Sequence, residues 1–296
     1  MPELHADTRA EAVVDALGLL YHDDLDPEEF MLFPEGETPT IEADDEVSDW
    51  ADTYGGRPAF ECLVRTILSQ NTSDTASQPA HDALMDRYAD RGSSYGTDAT
   101  ESRAPHDDLA AALADADHAE LAETVRSAGL YNQKAEKIIG AAEWVLEEFG
   151  SEAAFDEFVT GGDPGEVRET LLSVDGVGPK TADCVLLFAG GRGGVFPVDT
   201  HVHRIARRMG LAPADADHEG VREALERDVP PEKCGFGHTA MIQFGREYCS
   251  ARKPACLDDP EACPLAGLCD QVGVFPERGE VVDPAEGVAG RTGADR

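Results

Sequence analysis

LLSVDGVGPKTADCVLLFAGGRGGVFPVDTHVHRIARRMGL, residues 171–211, is the stretch on which the fold turns. Its spacing predicts one helix ending near Val174, a tight turn at Gly176-Val177-Gly178, and a second helix starting at Pro179 and Lys180. Glycines at such a turn let the backbone come close to a bulky group, and the new helix start leaves N–H groups pointing outward. Those donors, with the partial positive charge of a helix N-terminus, suit a phosphate. G-x-G before a helix also describes an ordinary helix-turn-helix corner. Lys180 separates the two readings: it is a rare residue in this chain, and it stands in the first turn, where the helix dipole disfavours a cation. A desolvated amine there has its pKa lowered from about 10.4 and can attack a carbon. Beyond a Gly/Pro-rich loop, Asp199 opens the amphipathic segment HVHRIARRMGL. Asp is among the best N-caps, and a carboxylate anchored by helix N–H groups is also oriented and ionised to face developing positive charge, so both roles fit.

Helical periods continue on both sides. Residues 7–20 place Val13, Val14, Leu17 and Leu20 on one side, and PAFECLVRTILSQ from Pro58 carries the wide apolar face of a deeply buried helix. A helix follows from Ser73 or Asp74 to about Tyr88, and others fit 108–115, 118–128, 132–149, 165–173, 179–190, 200–210, 218–227 and 235–248. No alternating strand pair with hairpin signals and no fixed-period repeat is found, so the fold class is all-α. Between Tyr21 and Asp52 there are 13 carboxylates and no Lys or Arg, a solvated acidic connector, and residues 89–107 read as a surface insertion.

Sixty Asp and Glu against 24 Lys and Arg give a formal charge of −36. Arginine outnumbers lysine nearly four to one, the lysines being Lys134, Lys137, Lys180, Lys233 and Lys253. So dense a carboxylate surface is tolerable where the Debye length shrinks to about 3 Å, as at 1 M ionic strength, which points to a salt-adapted, halophilic source. An apolar content of 41% in helical periods argues against general disorder. No apolar run approaches membrane length and the N-terminus lacks a basic start and a hydrophobic core, so a soluble, cytoplasmic protein without membrane partners is expected. Of seven cysteines, Cys249, Cys256, Cys263 and Cys269 lie close together near the C-terminus, a metal site in a reducing compartment. Four thiolates can hold tetrahedral zinc or a [4Fe–4S] cluster, and spacing alone does not decide. Cys62 and Cys184 read as small core residues.

Hairpin, lysine, Gly/Pro loop and aspartate together resemble the helix-hairpin-helix-Gly/Pro-Asp superfamily of DNA glycosylases, and in detail its endonuclease III-like members. LVRTILSQNTSD (63–74), AGLYNQKAEKII (128–139), GVGPKTADCVLL, VDTHVHR and the cysteine tail carry the likeness, over about residues 56–272. The resemblance implies two helical domains with a DNA-binding cleft between them, a helix-hairpin-helix motif and a C-terminal iron–sulfur cluster loop. It implies a base-excision repair enzyme, a bifunctional DNA N-glycosylase and AP lyase. Its expected partner is double-stranded DNA containing a damaged base or an abasic site, which it meets as a monomer. Gly176, Val177 and Gly178 would hold the phosphate backbone while the damaged nucleotide is flipped out. Lys180 would attack C1′ and Asp199 would stabilise the oxocarbenium-like charge. Gln70, Asn71 and Leu130 would fill the space left by the flipped base, although Gln70 also reads as an ordinary helix end and Leu130 as a staple. His201 would reach a phosphate or the sugar, or simply sit at the surface. Arg252 and Lys253 would contact phosphate, or balance acidic neighbours.

The cysteines stand as C-x6-C-x6-C-x5-C, against C-x6-C-x2-C-x5-C in the usual tail of that family; a polar insertion through LDDPEA can loop outward, so a [4Fe–4S] cluster is implied. The expected organisation is an N-terminal helix and connector (1–52), a cluster-containing domain (53–70 plus 191–272), a six-helix core (71–190) and a flexible tail (273–296). The lesion implied is an oxidised pyrimidine. A glycosylase for mismatched or oxidised purines on the same fold is a rival, as is a non-catalytic DNA-binding module that senses redox state.

Overall fold

The computed structural model describes residues 6–21, 57–72, 74–89, 108–190 and 193–287. The acidic connector and nearly all of the 89–107 insertion lie outside them. The described α-helices are α1 (Arg9–Tyr21), α2 (Ala59–Ser69), α3 (Asp74–Tyr88), α4 (Leu109–Ala114), α5 (His118–Thr124), α6 (Tyr131–Phe149), α7 (Glu152–Gly161), α8 (Pro164–Leu172), α9 (Pro179–Gly190), α10 (Thr200–Met209), α11 (His218–Asp228), α12 (Cys234–Glu247) and α13 (Ala255–Asp258). The all-α reading holds, apart from one two-stranded ribbon of β1 (Val274–Phe275) and β2 (Glu280–Val281).

The chain divides into two compact units, one of α2–α9 and one of α1 with α10 onward. In the first, α2 is the centre. Phe60, Leu63, Val64, Ile67 and Leu68 are fully buried, and the helix packs against α3, α6, α7 and α9. A helix apolar around so much of its surface is stable only inside a ring of others. This corrects the expected boundary: residues 59–69 belong with the hairpin-bearing unit, not with the cysteine-rich one. The sequence also gave no warning of α7. It is capped by Ser151, whose hydroxyl accepts from Ala154 N, and it contributes Phe155 and Phe158 to an aromatic cluster with Trp144 and Phe149. The starts of α4 and α7 cap each other: Asp108 accepts from Ala111 N and Glu152 N, while Glu152 accepts from Leu109 N.

In the second unit α1 packs on α12 and α11, so the N-terminal helix is part of the cysteine-rich unit and not a separate segment. Lys233 bridges Glu11 and Asp15 of α1 at 2.8 and 2.7 Å. Close approach requires Gly237 of α12, where a Cβ would lie 3.0 Å from both Phe196 and Val14. Within the tail expected to be flexible, the described residues 273–287 are packed in place. Arg207 holds Asp283 at 2.5 Å, Val282 N donates to Gly273 O, and Val274 is buried.

Candidate active site

The hairpin joins α8 to α9. Asp163 caps α8 through Glu166 N, Val174 and Val177 are buried under the turn, and Val177 N donates to Val174 O at 3.0 Å. Gly176 has φ +78°, a conformation that favours glycine, and a Cβ there would meet the Lys137 side chain at 2.7 Å and displace it. Gly178 differs: a Cβ would meet nothing within 4 Å, and its missing side chain faces open space in front of the helix start. Lys180 is the second residue of α9 and is half-buried. One turn on, buried Asp183 accepts from Arg168 Nε at 2.6 Å and ties α9 back to α8.

Of two further loops in this unit, the first meets the hairpin through Gln70. After α2 the chain turns through Asn71, exposed at φ +54°; after the turn at residues 126–128 it passes Gly129 (φ +64°) and Leu130 (φ +49°) into α6. Asn tolerates the left-handed region, whereas leucine there is strained by roughly 1–2 kcal/mol. Leu130 is also the exposed large apolar side chain among the described residues, at 54%. Gln70 turns inward, donating to Gly176 O at 3.0 Å and Thr181 Oγ1 at 3.3 Å and accepting from Lys137 Nζ at 3.1 Å. Buried Lys134 donates to Leu68 O (2.7 Å), Thr72 Oγ1 (2.7 Å) and Ala128 O (2.8 Å).

In the other unit Asp199 is the N-cap of α10, its Oδ1 accepting from His201 N and Val202 N, both at 2.8 Å. The half-buried His201 ring lies against Gly245 of α12 and takes Arg204 Nη2 at 3.2 Å on Nδ1; burial lowers its pKa below the usual histidine value, despite Asp199 nearby. Arg204 also donates to Cys249 O at 2.9 Å and Gly245 O at 3.1 Å.

Residues 64–231 match the family described as HhH-GPD superfamily base excision DNA repair protein. The chain belongs to that superfamily. Endonuclease III of Thermotoga maritima is 31% identical over 211 residues, 71% of this chain and 82% of that protein. Endonuclease III of Bacillus subtilis is 31% identical over 210 residues, 71% and 80%. A solved structure of endonuclease III trapped as a covalent intermediate on DNA superposes with a TM-score of 0.55 and 26% identity, over 76% of this chain and 92% of that one. The superfamily member described here is thus an endonuclease III-like base-excision repair glycosylase, with relatives that are DNA glycosylase/AP lyases.

The superfamily match ends before the cysteines. Cys249, Cys256, Cys263 and Cys269 all line one small cavity, walled by Phe244 and Val274. Gln271 N donates to Cys269 Sγ at 3.3 Å and Arg208 Nη1 to Cys249 Sγ at 3.6 Å. Burial pushes Cys263 and Cys269 up to about 12, against a backbone hydrogen bond to each, with the neighbouring thiols adding to the rise. Four sulfur donors around one cavity are the donor set of a thiophilic metal centre. In this arrangement, among the described residues, no three Cys, His, Asp or Glu side chains close into a ligating group. Lys253 pairs with Asp258 at 2.9 Å, both well exposed, and Arg252 is exposed beside it. Cys62 and Cys184 are core residues, Cys62 Sγ donating to Cys184 O. Sequence reasoning passed over Arg204 and Arg208, whose side chains hold the backbone of residues 249–251, and over Lys134 and Lys137. The signal was present: two rare lysines one turn apart, and two arginines one turn apart in HRIARR.

Proposed function

We propose that this glycosylase removes oxidised pyrimidines from duplex DNA and then nicks the strand as an AP lyase, with Lys180 as nucleophile and Asp199 as its electrostatic partner. The carrying observation is a lysine in the first turn of α9, directly after Gly178, whose missing side chain faces open space, where the dipole would reject a cation without a task. The turn at residues 176–178, with Val177 N already given to Val174 O, holds a phosphate of the damaged strand. Neutral Lys180 Nζ bonds to C1′ as the glycosidic bond breaks and the base departs; ring opening with loss of a proton from nitrogen leaves a Schiff base. Removal of a C2′ proton then expels the 3′ phosphate. Asp199, fixed by two N–H donors of α10, faces the charge that develops on the sugar. Asn71 and Leu130 occupy the gap left by the flipped nucleotide, and Arg252 and Lys253 meet the backbone once the exposed Lys253–Asp258 pair opens, which costs little.

Cys249, Cys256, Cys263 and Cys269 would hold a [4Fe–4S] cluster, which when bound cross-links α12 to the tail and fixes the loop carrying Arg252. Iron and sulfide analysis of protein purified without air tests this, and stoichiometric zinc in its place overturns it. The charge points to function in concentrated salt, and among the described residues no helix is long and apolar enough to cross a membrane.

Borohydride trapping on an abasic duplex at high potassium tests the central reading. A covalent adduct that disappears in Lys180→Ala is expected. No adduct with the intact protein would leave a DNA-binding module. A lesion panel in which oxidised or mismatched purines are processed fastest would assign the rival substrate.

A further inference from the structure

Lys134 and Lys137 lie one turn apart on α6 and touch the three loops of the hairpin-bearing unit that the proposed function places against DNA. Lys134 is 3% exposed, and its three donors are matched one to one by Leu68 O at the end of α2, Thr72 Oγ1 in the Asn71 loop and Ala128 O in the Leu130 loop. Thr72 Oγ1 in turn donates to Ala128 O at 2.5 Å, closing a ring between the two loops. Lys137 reaches the third: its stem covers the open face of Gly176, and its ammonium orients Gln70, which donates to Gly176 O. The chemistry explains the residue type. A compact ammonium offers three donors in a tetrahedral fan from a single atom, which suits three acceptors gathered around one point, whereas a guanidinium spreads its donors over a plane. A chain with 24 cations, only five of them lysine, keeps two of the five here.

We propose that Lys134 is a positioning residue that sets the spacing between Asn71 and Leu130, so that the two strained loops enter the duplex as one rigid fork. Lys137 and Gln70 extend the same brace to the hairpin turn. Both loops are held at positive φ by non-glycine residues, and such conformations persist only where surrounding contacts over-determine them. Without the ammonium, Leu68 O, Thr72 Oγ1 and Ala128 O lose a common donor and the loops drift apart.

This inference rests on the assignment of Asn71 and Leu130 to the gap in the duplex, and the experiment separates the two. In DNA-free protein, hydrogen exchange at residues 70–72 and 128–131 is expected to rise at least about tenfold in Lys134→Met while the core of α2 stays protected. Equal protection in both proteins overturns the brace, whatever the DNA assays give. With a duplex carrying 2-aminopurine opposite an abasic analogue, the intact protein should raise fluorescence as it unstacks the base. In Lys134→Met that rise should be lost, and the single-turnover nicking rate should fall by roughly tenfold or more at an unchanged Kd. Absence of a rise with the intact protein removes the wedge reading instead. If Lys134→Met fails to fold, Thr72→Val and Thr72→Ser replace it: Val should reproduce the loosened exchange and slower nicking in milder form, and Ser should restore both. Identical behaviour of Val and Ser overturns the proposal.

Discussion

Asp199 is the N-cap of α10 and, in the proposed function, also the anion that faces the sugar, and a single substitution separates the two roles. As N-cap it gives two hydrogen bonds to α10, and asparagine caps nearly as well as aspartate. Asp199→Asn should therefore change stability by less than about 0.5 kcal/mol in urea unfolding. Loss of the negative charge should slow borohydride trapping by on the order of 100-fold or more. A variant that loses stability and trapping in proportion would show that the residue is only a cap. His81 offers the clearest pH dependence. Burial first, then Arg65 and Arg57, lower its pKa to about 4, outweighing the opposite pull of Asp82. Its folded value lies below the unfolded 6.5, so the unfolded chain takes up a proton that the fold refuses. The stability it contributes is complete above pH 6.5 and is lost as pH falls through 4. Solvent screens part of the shift, leaving on the order of 2 kcal/mol. Thermal melts of His81→Leu should show a shallower decline across that window than the parent, and parallel curves would refute the assignment.

Helices reveal themselves in a sequence when they carry a long apolar stripe, and α2, α6 and α9 do. The short α7 does not: EAAFDEFVTG has three apolar anchors and ends at glycine, and only the aromatic partners on α6 make it worth forming. Its start is fixed by the exchange between Asp108 and Glu152, a contact across 44 residues. Asp108→Ala removes the acceptor for Ala111 N and Glu152 N together and should cost about 1–2 kcal/mol, read as a lower urea midpoint. Trapping on abasic DNA should be unaffected at temperatures where the variant is folded. A neutral outcome would mean that water replaces both bonds without loss.

At the scale of the whole chain, charge sets the terms. Several carboxylates are consumed locally: Asp108, Asp117, Asp163, Asp199 and Asp217 each cap a helix, where the dipole favours a negative end. The rest of the formal −36 repels itself and repels phosphate. Raising potassium chloride from low to molar concentration should therefore raise the melting temperature, because screening removes the self-repulsion. DNA affinity should fall less steeply with salt than for a basic homologue, since repulsion and counterion release are weakened together. A steep loss of binding between low and molar salt would contradict this account.

Sequence alone determined whatever depends on neighbours a few residues away. The helical class, the turn at Gly176, the first-turn place of Lys180, the capping place of Asp199 and the buried character of α2 are all set by periodicity, dihedral preference and capping, which act within one or two turns. Tertiary structure decided what depends on contacts between distant segments. It put α2 with the hairpin unit and α1 with the cysteine unit, ordered the tail through Arg207 and Asp283, and gathered four thiols around one cavity. It also turned Gln70 inward onto a carbonyl 106 residues away and gave Lys134 its three acceptors. No spacing rule reaches so far, because a side chain's long-range partner is chosen by how whole helices pack.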